Sequence, residues 1–220
     1  VDSLSGPRQN RVTPRGDLVA VAARGGLMGN RGRLHDPAGR IVRRQVAGYR
    51  AWVTCLLDFK GRRRPIMVPG RYTELFFLDE ATALAAGHRP CGECRRADFL
   101  RFKAAWLAAN PGSRGAGPTS IADIDREMHR DRLTADGRQR TFAMEPAVLP
   151  DGAFVARGTG GPPLLIWAGS LRPWTPEGYG KAEARPAAGA VTVLTPASTV
   201  RALAAGYTPG VHPSAGEVSR

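Results

Sequence analysis

The chain has 220 residues, 42% of them hydrophobic, enough for one large domain or two small ones with a buried core, so wholesale disorder is excluded. Uncharged apolar runs such as residues 162–170 fall far short of the roughly 18 to 20 residues that span a bilayer, and no basic-then-apolar signal segment follows Val1, so neither a transmembrane nor a secreted protein is expected. Thirty-two basic against nineteen acidic residues give a net charge of +13. Residues 1–115 hold 21 basic and 9 acidic groups, or +12, whereas residues 116–220 hold 11 and 10, or +1.

Residues 1–16, polar, basic and broken by Gly6, Pro7, Pro14 and Gly16, read as a flexible arm. The apolar stretch within 17–27 suits a strand or a short helix, and the segment 25–39, with five glycines, reads as a loop. Residues 49–59 are rich in aromatic and β-branched types and predict a strand paired with 64–68 across the basic turn 60–64. Asp79 can cap a short Ala-rich helix that stops at Gly87. Residues 95–110 predict a second helix with Phe99, Phe102 and Trp106 on one apolar face. The Pro/Gly-rich segment 111–118 coincides with the change in charge density and marks a domain boundary. Beyond it, Ser120 and Asp123 form a capping-box pattern for a helix with Ile121, Ile124, Met128 and Leu133 on its apolar side. Strands are expected at 141–148, 152–157, 163–168 and 190–194, then a helix to Ala205 and a loose tail over 208–220. The expected fold class is α+β: a basic module over 17–110, stabilised by zinc, and a β-rich module with short helices over 119–207.

The front-loaded positive charge attracts polyanions, and nucleic acid is the expected partner, DNA ahead of RNA. A merely solvated basic surface competes with that reading, because all but Lys60, Lys103 and Lys181 of the basic residues are Arg, as a GC-rich coding sequence would give. Three cysteines make an incomplete disulfide framework and suit a reducing compartment, the cytoplasm, where paired thiols more often hold metal.

Cys91 and Cys94 form a C-x-x-C pair, whose spacing lets two thiolates face one tetrahedral ion while the chain turns into a helix. A redox pair uses the same spacing but would sit after a βαβ strand, and here an Ala-rich helix precedes it. The run from Phe76 through Ala86-Gly87-His88-Arg89-Pro90-Cys91 to Cys94 resembles the metal-binding domain of the Ada-type DNA alkylation-repair proteins, and related zinc modules found beside nucleases and in surface proteins. The resemblance covers residues 75–99 and implies that Cys91 and Cys94 supply two zinc thiolates. Alkyl-transferring members carry two cysteines in the first half of the domain; this chain has Cys55 alone there, so a methyl-acceptor role is not expected of it. Related modules open with a Gly-Asn turn leading to a histidine, and Gly29-Asn30 leading to His35 is similar, which implies His35 as a ligand. The expected site is therefore His35, Cys55, Cys91 and Cys94 around a structural zinc with no open position. Cys55 as a small buried residue on a strand is the competing reading, and His88, where the family has an aromatic residue, is expected to pack rather than to bind.

The zinc is expected to hold Arg33, Arg89, Arg95 and Arg96, with the tip Arg62, Arg63 and Arg64, as a surface for phosphates. Trp167, Arg172, Trp174 and Tyr179 could stack bases, although core packing employs such rings equally well. His129 with Asp125 could hold a divalent cation, but a solvated helix with ion pairs is the better reading of residues 121–133. Three functions stay open: nucleic-acid binding first, then a nucleic-acid-processing enzyme of nuclease or repair type with its active site in the rear module, then a metal-stabilised protein-interaction module.

Overall fold

Residues 6–61, 65–111 and 119–216 are described in the computed structural model, which is α+β. The tip Arg62, Arg63 and Arg64, most of the expected linker and both chain ends lie outside the described residues.

The front of the chain builds a six-stranded sheet in the order β2-β1-β5-β3-β4-β6, from β1 (Gln9–Val12), β2 (Leu18–Ala20), β3 (Leu27–Asn30), β4 (Val53–Cys55), β5 (Leu75–Phe77) and β6 (Arg89–Pro90). Three expectations change here. The supposed arm supplies β1, whose Val12 is buried against Leu75 and Phe77 in one apolar cluster. The glycine-rich segment read as a loop supplies β3, which pairs with both β4 and β5. Gly29 is there for closeness: a Cβ would stand 2.3 Å from the Val53 carbonyl oxygen. Finally, β4 is three residues long and pairs with β3 and β6, not with residues 65–68, which form a turn.

The helices follow their local signals. In α1 (Glu80–Ala85) the Asp79 carboxylate accepts from the Thr82 N–H at 2.8 Å, and Gly87 takes φ +82° just past the C-cap. A side chain at Gly87 would also strike the Arg132 stem at 2.5 Å. Helix α2 (Arg96–Ala109) buries Phe99, Phe102 and Trp106, and α3 (Ile121–Arg132) opens with the complete Ser120–Asp123 capping box. Full burial of Phe102 stabilises by about 1.5–3 kcal/mol on transfer grounds.

The rear sheet runs β11-β10-β9-β8-β13-β7, with β12 also on β10. Its strands are β7 (Phe142–Met144), β8 (Phe154–Ala156), β9 (Leu164–Trp167), β10 (Ser170–Thr175), β11 (Gly178–Tyr179), β12 (Glu183–Ala184) and β13 (Val191–Val193), followed by α4 (Ala197–Ala204). The expected two-module division does not appear as two separate cores. Leu84, Phe102 and Trp106 share one apolar cluster with Ile124, Val155, Ile166 and Leu203, and Ala81 and Ala85 share another with Phe154 and Trp167. The expected loose tail is also docked through residue 216. The Asp79 carboxylate accepts from Tyr179 Oη at 2.6 Å and the His212 N–H at 2.9 Å, and Glu80 accepts from Tyr207 Oη and the Gly210 N–H. Among the described residues no helix is long and apolar enough to cross a membrane.

Candidate metal centre

Cys55 ends β4, and β6 lies parallel to β4 with Val53 opposite Arg89 and Thr54 opposite Pro90. The ladder continues through the Cys91 N–H, which donates to the Thr54 carbonyl at 2.8 Å, so Cys91 lands beside Cys55. The chain then turns, with the Arg95 N–H donating to the Cys91 carbonyl at 3.2 Å, and enters α2; this turn carries Cys94 back to the other two. The three sulfurs lie within 4.8 Å of one another, close enough to hold a metal ion.

The thiols already share protons. Hydrogen bonding to Cys91, with burial next, pushes the Cys55 thiol far above its ordinary range, while the bond from Cys55 lowers Cys91 to about 5. The Glu93 N–H, 3.4 Å from the Cys91 sulfur, favours the same thiolate, and burial raises Cys94. These shifts favour a single thiolate, on Cys91, in the absence of a cation. A bound cation would let all three ionise, and three soft sulfur donors suit a thiophilic metal rather than magnesium or calcium.

His35 is not with them. Its Nδ1 lies 2.6 Å from Thr73 Oγ1 and its Nε2 3.3 Å from the Val68 carbonyl, so the ring pins residues 32–36 to residues 68–73 inside the fold. His88 packs between Trp52 and Phe77, with ring centroids 5.1 and 4.7 Å away, and burial followed by Arg31 and Arg132 drives its pKa well below the usual imidazole value. Among the described residues the cysteines are the one metal-type cluster of three or more His, Cys, Asp or Glu. Asp125 is taken by Arg89, and His129 Nδ1 lies 2.8 Å from Arg132 Nη2.

The sulfurs form part of the wall of a pocket of about 490 Å³ shared with Met28, Leu56, Leu57, Phe59, Ile66, Tyr72 and Glu74. Sequence reasoning missed this pocket, although Leu56 and Leu57 gave a hint. They follow a strand end, break its alternation, and are 40% and 52% exposed.

The arginines divide sharply. Arg89 forms a buried two-pronged pair with Asp125, at 2.6 and 2.7 Å, and Arg95 is buried against Glu80 at 2.9 Å and Asp98 at 2.8 Å. Neither faces a phosphate, which corrects the expected surface; their charges tie the cysteine turn to α3 and α1. Arg33 and Arg96 are exposed, and so is an unforeseen run, Arg40, Arg43, Arg44 and Arg50. Trp167, Trp174 and Tyr179 belong to the rear core, where Trp174 Nε1 donates to Thr82 Oγ1 at 3.1 Å and Trp167 Nε1 to the Gly216 carbonyl at 3.0 Å. No family model, curated protein or solved structure matches the chain.

Proposed function

We propose that this chain is a zinc-binding protein that engages nucleic acid, DNA in preference to RNA, with zinc held by Cys55, Cys91 and Cys94 at the wall of the aromatic and aliphatic pocket. The observation that carries the reading is the convergence of three sulfurs from two distant stretches of chain. The Ada-type likeness of residues 75–99 supports it from the sequence side. Bound there, zinc would tie β4 to the turn before α2 and would supply a Lewis-acid position, completed by water or by a group entering the pocket.

The charge excess of residues 1–115 supports the nucleic-acid part. Its surface is Arg33, Arg40, Arg43, Arg44, Arg50 and Arg96; among the described residues Arg40 and Arg44 pair with Asp36 and Asp17, and Arg33, Arg43, Arg50 and Arg96 have no ion-pair partner. Neutralising Arg43 and Arg50 together should lower the salt slope of duplex binding by about 2, at about 0.9 per phosphate contact. A slope that does not move leaves these arginines to solvent and sinks this interface.

A second reading, a nucleic-acid-processing enzyme, draws on the pocket itself, because the cluster of three sulfurs includes no fourth His, Cys, Asp or Glu among the described residues and faces a pocket that a substrate group could enter. Incubating the zinc-loaded chain with labelled single- and double-stranded DNA and RNA separates retention from product formation.

A further inference from the structure

A second concentration of charge surrounds Trp52, and the metal reading makes no use of it. Arg31, just after β3, and Arg132, the last residue of α3, both stack on the indole, with guanidinium carbons 4.9 and 3.9 Å from the ring centroid. Each is only 2% exposed. Guanidiniums buried to that extent elsewhere in the fold carry carboxylates, as Arg89 does with Asp125 and Arg95 with Glu80. Among the described residues Arg31 and Arg132 form no such pair.

Their hydrogen bonds go to neutral acceptors instead. Arg31 donates to the Gly16 carbonyl at 2.8 Å; Arg132 donates to the Gly87 and Arg50 carbonyls, each at 2.8 Å, and its Nη2 also lies 2.8 Å from His129 Nδ1. The Nε of each is buried with no partner among the described residues. The two carboxylates nearest in effect are already engaged, Asp17 by Arg44 and Asp125 by Arg89. Burial lowers both arginines to about 9, which leaves them cationic at neutral pH. Two buried positive charges without a counter-charge are a costly arrangement unless an anion completes it.

Both line a small cleft with Arg15, Arg44, Gln45 and Gln139, and no carboxylate lines it. Its space, about 20 Å³, admits a water-sized group, so the cleft takes the leading oxygens of an anion and leaves the remainder in the mouth. Exposed Arg44, paired with Asp17, lines the cleft, and so does Gln45, whose amide nitrogen is its donor toward an anion. Guanidinium forks match the spacing of phosphate oxygens better than they match a spherical halide.

We propose that this cleft is an oxyanion site that takes the phosphate group of inorganic phosphate or of a phosphate monoester as the counter-charge for Arg31 and Arg132. The site is independent of the cysteines and stands whether or not zinc binds.

The test is titration of the full chain with inorganic phosphate, followed by calorimetry and phosphorus resonance, with chloride holding ionic strength constant. Saturable binding of one phosphate per chain is expected. Arg44→Ala should weaken it about tenfold, because a charge-assisted contact is lost and Asp17 is freed at the mouth. Arg31→Met should abolish it, and since that change removes a buried residue, Arg44→Ala and Gln45→Ala at the mouth keep the test decisive if the Met variant fails to fold. A nucleoside 5′-monophosphate that competes while its parent nucleoside does not assigns the cleft to monoesters, and no competition assigns it to free phosphate. Absence of saturable binding overturns the proposal. So does stabilisation by phosphate that persists equally in both mouth variants, as preferential exclusion of the salt would give.

Discussion

Trp52 and Cys55 are three residues apart, yet the groups gathered around them have opposite electrostatic needs. From Trp52 through β4 burial alternates, with Trp52 and Thr54 buried and Val53 and Cys55 half-buried, as a strand with two different faces requires. Around Cys55 three sulfurs crowd together, and their mutual contacts and burial oppose ionisation of all three in the absence of a cation. Around Trp52 two guanidiniums are buried and lack an anion. Between the two, Arg89 and Asp125 show the same chain building a buried pair that satisfies itself. Burial is common to all three; what separates a structural ion pair from a candidate binding site is whether the opposite charge is already part of the fold.

The sharpest break of this contrast is at the cysteines. Cys91→Ala should drop bound zinc below about half an equivalent, and a strong chelator should destabilise the unaltered chain while leaving the variant unaffected, as read by thermal unfolding with and without chelator. Equal stability in both states would remove the cation from the account.

The self-satisfied pair comes next in size. Asp125→Asn should cost about 3–5 kcal/mol by leaving Arg89 buried and unpaired, whereas replacing Arg89 and Asp125 together by Met and Leu should cost much less. Denaturant midpoints of the single and double variants measure the difference, and equal costs would show that the pair is not compensated as described.

A smaller effect sharpens the metal side. His35→Ala removes two hydrogen bonds and should cost about 1–3 kcal/mol while leaving zinc stoichiometry unchanged. Loss of zinc in that variant would restore the imidazole to the site.

The smallest effect concerns acid. Burial, then Arg132 and Arg50, lowers His129 to about 4, and His88 moves in the same direction. Below the ordinary imidazole value of 6.5 the unfolded chain binds protons that the folded chain refuses, so stability present above pH 6.5 is lost as pH falls from there toward 4. For the half-buried His129 the loss is of order 1 kcal/mol once solvent screening is allowed for. His129→Gln should make the denaturant midpoint less steep against pH over that window without flattening it, because fully buried His88 still contributes; an unaltered slope would place the His129 titration elsewhere.

Local chemistry was legible in the sequence and long-range partnership was not. The capped ends of α1 and α3 and the apolar face of α2 depend on neighbours within a few residues, and all appear where those neighbours predict. The C-x-x-C turn is equally local, and Cys55 joined it because strand pairing brings β4 and β6 side by side. His35 departs from the expected metal site because Thr73 and Val68, more than thirty residues away in sequence, answer both of its ring nitrogens. Arg89 and Arg95 were assigned to a surface because charge alone suggested one; their acceptors sit on α3, α1 and α2, and nothing near them in sequence announces the pairing with Asp125. Gly29 reads as a loop residue by composition, yet the sheet needs it where β3 and β4 come too close for a side chain. The arginine cleft had no sequence signature at all, since Arg31 and Arg132 meet only because Trp52 lies between them.

The most direct test of the metal centre is X-ray absorption at the zinc edge of the purified full chain. Three sulfur neighbours at about 2.3 Å with one oxygen or nitrogen, and no imidazole scattering, is the result expected of Cys55, Cys91 and Cys94 sharing a metal with a position left to the pocket. A protein that carries no zinc, or a spectrum without sulfur around the metal, would contradict it.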